Sequence, residues 1–331
     1  MLDLLAIGDV MIDHFFVLDD AQIDSSLAPN EQYLCVRYGD KIAVQKYVHS
    51  VAGNAANVAV GAARLKLAVG LVTLVGQDSG GREIIHKMKK EGVRTEHIHV
   101  NAQERTNISS VMSFRGERTI LVYHAPREWN HTALPKAKWY YLTSLGPITA
   151  DFRHLHRRIA ETLERMPLIR LAFNPGTFQL KAGMKFLKPL LRRTELLFVN
   201  KEEAETITDQ GPTTSMPTLL SSLHRSGVTT PIITDGAKGA WALDEKDSIL
   251  HCPATNDPVV ERTGAGDSFA TATLASIING NPLSEALRWG AVESANVVSM
   301  IGPQAGLLTL QKLKKNLKRQ RSLKTTVSPS L

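Results

Sequence analysis

Arg262-Thr263-Gly264-Ala265-Gly266-Asp267-Ser268-Phe269 leads into residues 270–278, a run of small and apolar side chains. Three small residues precede an aspartate where a helix should begin. With no bulky side chain in the way, the amides of Gly264, Ala265 and Gly266 can approach an anion closely. The helix N-terminus adds its own partial positive charge. Phosphate oxygens suit such a cradle, and Asp267 beside it is placed to accept a proton from an attacking hydroxyl. The plainer reading of the same residues is a glycine turn with Asp267 as an N-cap. A nucleotide P-loop is excluded, since no Gly-Lys-Ser/Thr follows.

Upstream of this turn, strand-like and helix-like segments alternate: 139–142, 152–165, 169–173, 184–193, 196–199, 216–226 and 232–234. Residues 4–7 and 70–75 read as further strands, 55–65 and 82–91 as helices. That alternation predicts a doubly wound α/β fold with a mostly parallel sheet, which binds ligands beyond the C-terminal ends of its strands. Residues 14–49 are mixed, with short alternating pieces such as 33–37. The runs 108–114 and 119–123 flank a hairpin turn at Arg115-Gly116-Glu117. The expected organisation is a core from 1–13, 50–96 and 128–310, a small β-sheet lid from 14–49 and 97–127, and a basic tail over 311–331.

Composition narrows the partners. Of 331 residues, 43% are hydrophobic and 21% charged, an ordinary globular balance. The net charge of +7 resides in the tail: residues 311–331 hold seven Lys or Arg and no acid, leaving 32 of each sign over 1–310. A nucleic-acid enzyme more often carries its charge on the folded body, so nucleic acid is not the expected partner. The tail reads as a solvated helix end in which Leu313 and Leu317, four apart, can dock a last helix on the body, so that residues beyond about Leu317 are expected to be dispensable for chemistry. No apolar run reaches the roughly 18 residues of a membrane helix. Two cysteines, Cys35 and Cys252, make no disulfide framework, which fits a reducing cytoplasmic setting. His154 and His156 lie two apart and are expected at the surface.

A second segment, Ala52-Gly53-Asn54-Ala55-Ala56-Asn57-Val58-Ala59-Val60-Gly61, is rich in small residues suited to close packing. Asn54 and Asn57 share one face of a first helical turn beside Gly53, where they could bond polyol hydroxyls or merely cap the helix. Together the two segments resemble the paired signatures of the PfkB/ribokinase family of carbohydrate kinases, in that family's order and spacing over about residues 1–310.

The resemblance implies ATP as phosphoryl donor, Mg²⁺, and a sugar, nucleoside or phosphosugar as acceptor. It implies Asp267 as general base, with Gly264, Ala265 and Gly266 as the anion cradle, and Asp13, Gly53 and Asn57 at the acceptor. Asn200-Lys201-Glu202-Glu203 looks like the family's Asn-x-x-Glu motif, which puts Asn200 at the phosphates and Glu203 on Mg²⁺ through water. Thr234-Asp235-Gly236-Ala237-Lys238-Gly239 resembles its nucleotide loop, giving Thr234, Gly236 and Gly239. Gly302 falls near the adenine region, and Arg105 is a candidate for holding an existing phosphate. Many members carry Asp-Thr-Thr where this chain has Glu261-Arg262-Thr263; a longer Glu261 leaves a monovalent-cation requirement open. Leu142-Thr143-Ser144-Leu145-Gly146 offers no sugar-binding carboxylate, which disfavours ribose. Lid strands with open edges suggest a homodimer. A non-catalytic nucleotide or sugar sensor is the alternative of another class. A dinucleotide oxidoreductase lacks its Gly-x-Gly-x-x-Gly after the first strand.

Overall fold

The computed structural model describes residues 1–26, 32–115, 117–126, 129 and 134–329. Its first strand, Leu2–Ile7, lies between Val69–Gly76 and Ala137–Leu142, parallel to both. Ile98–Asn101 continues the sheet beyond Val69–Gly76. On the other side Arg170–Phe173, Thr194–Asn200 and Thr230–Thr234 follow in parallel, then Ala240–Leu243, Ser248–Cys252 and Thr326–Pro329 in antiparallel sense. Helices cover both faces of this ten-stranded sheet, so its central strands are buried on both sides; every residue of Val69–Gly76 is buried. The chain runs outward from Leu2–Ile7 to one edge, then returns to Ala137–Leu142 on the opposite side. That reversal opens a crevice beyond the strands' carboxyl ends.

One face packs Asn54–Arg64, Ala265–Ile278, Leu283–Val298 and Leu310–Arg319 over Leu4, Ala6 and Leu71. The opposite face packs Ala150–Arg165, Met184–Leu191, Lys201–Thr208 and Met216–Arg225 over Leu5, Ile7 and Leu197. Ala265–Ile278 is the central helix of the first layer, buried from Asp267 to Ser276. Its Ala and Thr residues let two neighbours approach closely. A Cβ at Gly61 would stand 3.0 Å from the Thr271 methyl, and one at Gly290 would meet Thr273 and the Phe269 ring at 2.3 and 2.8 Å.

The second sheet has four strands in the order Val44–Ala52, Met11–Leu18, Asn107–Phe114, Glu117–Tyr123. It begins at Met11 rather than at residue 14, so Asp13 belongs to it. Residues 98–101, expected in the lid, instead pair with Val69–Gly76 in the large sheet, because the chain leaving Ser79–Lys90 crosses back beside that strand. Tyr33–Cys35 pairs with Gln22–Asp24 in a separate two-stranded piece. Gly116 of the hairpin turn lies outside the described residues; the flanking strands pair from Phe114–Glu117 to Ile108–Tyr123.

The C-terminal segment corrects the expectation of a solvated end beyond Leu317. Leu310–Arg319 buries Leu313 and Leu317 against the core, while its lysines face outward. Beyond it Leu323 is 7% exposed and its carbonyl accepts from Arg288 Nε at 2.7 Å. Thr326–Pro329 then forms an edge strand on Ser248–Cys252. Deletion after Leu317 therefore removes a buried leucine and a strand ladder together. Equilibrium urea unfolding of that truncation should show a loss of about 2–4 kcal/mol, where a solvated tail would leave the midpoint unchanged.

Candidate active site

Two adjoining clefts of about 500 and 480 Å³ open along the carboxyl ends of the strands. Thr234, Arg262, Ala265, Gly266 and Phe269 line both. The glycine turn thus stands at their junction, at the N-terminus of Ala265–Ile278. Gly264, in the left-handed region at φ 81°, precedes that helix, and a Cβ there would meet Pro303 at 2.6 Å. A Cβ at Gly266 would meet nothing within 4 Å: that face of the turn opens into the clefts.

Asp267 sits in the first turn, 7% exposed. Its Oδ2 accepts from Asn57 Nδ2 at 2.8 Å, and Asn57 Oδ1 accepts from Gln304 Nε2 at 3.1 Å. Burial pushes the Asp267 carboxyl up to about 6, against the lowering effect of hydrogen bonds from Asn57 and Asn54. Both ends of the Asn57 amide are engaged by protein, so this side chain positions Asp267. The same side chain also lines the cleft in which its expected acceptor role falls. Gly53 begins Asn54–Arg64 at φ 96°, where a Cβ would lie 2.7 Å from the Asp9 carbonyl oxygen. It permits a tight chain crossing as well as bordering the cleft.

Asp13, on the strand Met11–Leu18, faces the same cleft and is 5% exposed. Its Oδ1 accepts from Ser109 Oγ at 2.6 Å. Burial, with the nearby charges of Glu261 and Asp267, raises this carboxyl to about 6 despite that hydrogen bond. Across from it, Arg118, Ile120, Val122 and His124 alternate along and just after Glu117–Tyr123, all lining the cleft. Period-two alternation could have placed these four on one face from the sequence. The position rule for parallel sheets could have found Asn174, whose Nδ2 donates to the Phe198 carbonyl at 2.8 Å just beyond Arg170–Phe173. Gln304 carries no such signal.

Asn200 and Glu203 form a reciprocal capping box at the start of Lys201–Thr208: Glu203 N donates to Asn200 Oδ1 at 2.8 Å, and Asn200 N to Glu203 Oε2 at 2.9 Å. Both also line the first cleft beside Thr234. Burial raises the Glu203 carboxyl, and Glu202 and Asp267 add to the shift. Negative charges crowded this way gain from a nearby cation, so Glu203 fits a site for Mg²⁺.

The second cleft is a slot walled by Ala240, Cys252, Ala254, Val259, Ala291, Ala295 and Val298, with Thr255, Asn256, Asp257 and Ser294 as polar groups. Gly236 and Gly239 border it, the latter at φ 97° where a Cβ would strike the Cys252 carbonyl at 2.2 Å. Asp257 accepts from Gln320 Nε2 at 3.0 Å, so the C-terminal segment also braces this slot. Gly302 and Arg105 line neither cleft.

His156 is buried rather than at the surface. Its Nδ1 stands 3.0 Å from the Phe152 carbonyl and its Nε2 3.2 Å from Gln179 Nε2, and burial lowers its pKa to about 4. Gln179 in turn bonds Thr143 and Gly176, fixing the loops at the cleft floor.

The family model of pfkB family carbohydrate kinases matches residues 1–310. A ribokinase of Haemophilus influenzae is 24% identical over 280 residues, 82% of this chain and 89% of that protein. The crystal structure of a ribokinase from Cryptococcus neoformans var. grubii serotype A, in complex with ADP, superposes with a TM-score of 0.77 at 22% identity, covering 96% of this chain and 100% of the other. A nucleoside kinase from Methanocaldococcus jannaschii gives 0.73 at 20% identity, over 97% and 99% of the two chains.

Replacing Asp267 by Asn keeps the bulk and removes the carboxylate expected to accept the proton. Turnover should fall by about 10²–10⁴-fold with little change in nucleotide KM. Because a protonated Asp267 cannot accept a proton, wild-type kcat should decline as pH falls through about 6. Stopped-time assays from pH 5 to 8 check the profile, and a flat one counts against the assignment.

Proposed function

The chain belongs to the pfkB family of carbohydrate kinases, and from that premise we propose that it transfers the γ-phosphoryl group of ATP to a hydroxyl of a sugar or nucleoside, with Asp267 as general base. The observation that carries this reading is the junction of the two clefts: the glycine turn borders both through Ala265 and Gly266, and the buried Asp267 carboxylate lines the first beside it. The slot of small side chains suits a purine nucleoside, with Thr234, Gly236 and Gly239 along its phosphate end. The other cleft takes the acceptor.

In this reading Asp13 accepts hydrogen bonds from acceptor hydroxyls and so turns one of them toward Asp267. Asn57 and Asn54 hold Asp267 in place as it takes the proton. The amides of Gly264, Ala265 and Gly266 receive the charge that develops on the transferred group. Mg²⁺, held by Glu203 through water and near Asn200, would supply charge neutralisation on the phosphates. The strands around Asp13 close over the acceptor and exclude water as a competing nucleophile.

His124 adds a polar ring to the wall of the acceptor cleft, which leaves room for an acceptor that already bears a phosphate. The outer face of the small sheet exposes Tyr47, Ile108, Leu121 and Tyr123 by 44–58%, and its two edge strands are open. We assign that surface to a homodimer contact. No helix among the described residues is long and apolar enough to cross a membrane; with Cys35 and Cys252 both free, a reducing cytoplasmic compartment fits.

The deciding experiment is ATP consumption with free hexoses, pentoses, phosphosugars and nucleosides in turn. Acceptor-dependent turnover is expected with at least one class, and none with any would overturn the reading. For the acceptor found, Asp13→Ala should raise KM by the equivalent of about 2–3 kcal/mol while calorimetric ATP affinity stays unchanged. A parallel loss of ATP affinity would reassign Asp13.

A further inference from the structure

Glu117 and Arg118 open the outer strand of the small sheet, and Glu261 and Arg262 precede the glycine turn. They meet in crossed pairs. Arg262 Nη1 lies 3.4 Å from Glu117 Oε1, with side chains 62% and 69% exposed. A pair so exposed contributes little. The inner pair is different: Arg118 Nε stands 3.8 Å from Glu261 Oε1, and Glu261 is 4% exposed.

Glu261 is also tied to the turn. Its Oε1 accepts from the Thr263 amide at 2.8 Å and from the Thr263 hydroxyl. Its Oε2 is buried and takes no hydrogen bond from the described residues. A buried carboxylate oxygen left this way is incomplete. The Arg118 guanidinium, measured to Oε1, is beyond hydrogen-bond range and belongs to the strand Glu117–Tyr123 that lines the acceptor cleft. An approach of about 1 Å by that strand would bring the forked guanidinium within hydrogen-bond range of the carboxylate, whose Oε2 is the oxygen short of a partner.

We propose that Glu261 is a positioning residue through which closure of the small sheet sets the shape of the phosphate cradle, with Arg118 as the contact that closure delivers. When the acceptor draws Glu117–Tyr123 toward the core, Arg118 meets Glu261, and Glu261 holds Thr263 at the start of the turn. With the sheet open, the cradle is looser. Transfer to water is thereby disfavoured until an acceptor is in place. The proposal rests on the kinase reading and adds to it residues outside the base and the amides.

Arg118→Gln and Glu261→Gln should each lower kcat by about 10–100-fold, a range typical of coupled sites, with acceptor KM little changed. The double variant should be no slower than the worse single one, and Arg118→Lys should keep most of the rate. Glu117→Gln, which touches only the exposed pair, should stay within about twofold. Multiplicative losses in the double variant would overturn the proposal. So would a raised acceptor KM at unchanged kcat, which would make Arg118 a direct acceptor ligand. A second arm needs no turnover: amide hydrogen exchange over residues 261–267 of the ligand-free protein should rise about tenfold in Arg118→Gln while the large sheet is unaffected. Unchanged exchange there contradicts the coupling, even if the wild-type protein phosphorylates nothing in the panel and the functional reading falls alone.

Discussion

A hydrogen bond between residues 210 positions apart, from Asn57 Nδ2 to Asp267 Oδ2, joins the first turns of two helices. Each of those helices begins on a left-handed glycine, Gly53 or Gly264, pressed against another stretch of chain. Everything else in the site is arranged around that meeting. The helices can approach because their facing residues are Ala, Gly and Thr. The asparagine holds the carboxylate without neutralising it, whereas a lysine or arginine there would have pulled its pKa down and weakened it as a base. Gln304 fixes the asparagine from behind, so the order of donor and acceptor along the chain of three side chains is determined.

The electrostatics follow from the same packing. Asp13, Glu203 and Asp267 are all raised by burial, and the Asp267 charge adds to the shifts of the other two. A site with several carboxylates kept near their titration range is costly to maintain in the empty protein. It becomes favourable when donors and cations arrive with the ligands. Positive charge nearby is supplied sparingly, by Arg118 and Arg262, each lying near a glutamate.

Much of this was readable from the residues. Gly264–Asp267 and Gly53–Asn57 announced themselves by small side chains before a helix, a local signal that needs no tertiary information. Strand–helix alternation likewise specified the parallel sheet. Three features escaped because they depend on long-range placement. The support that Asn57 gives Asp267 depends on Gln304, 247 residues away, at its other end. His156 looked like a surface residue until helix 150–165 was docked with that side inward against Phe186 and Gln179. The spacing of Leu313 and Leu317 points to a docked last helix, yet nothing local marks Leu323 or the edge strand Thr326–Pro329 beyond it.

Carbon-13 NMR titration of the Asp267 carboxyl, in wild type and in Asn57→Ala, tests the central claim most directly. The account predicts a wild-type midpoint near 6 that moves higher when the asparagine's hydrogen bond is removed. A midpoint near the ordinary aspartate value of about 4, or one unmoved by Asn57→Ala, would contradict it.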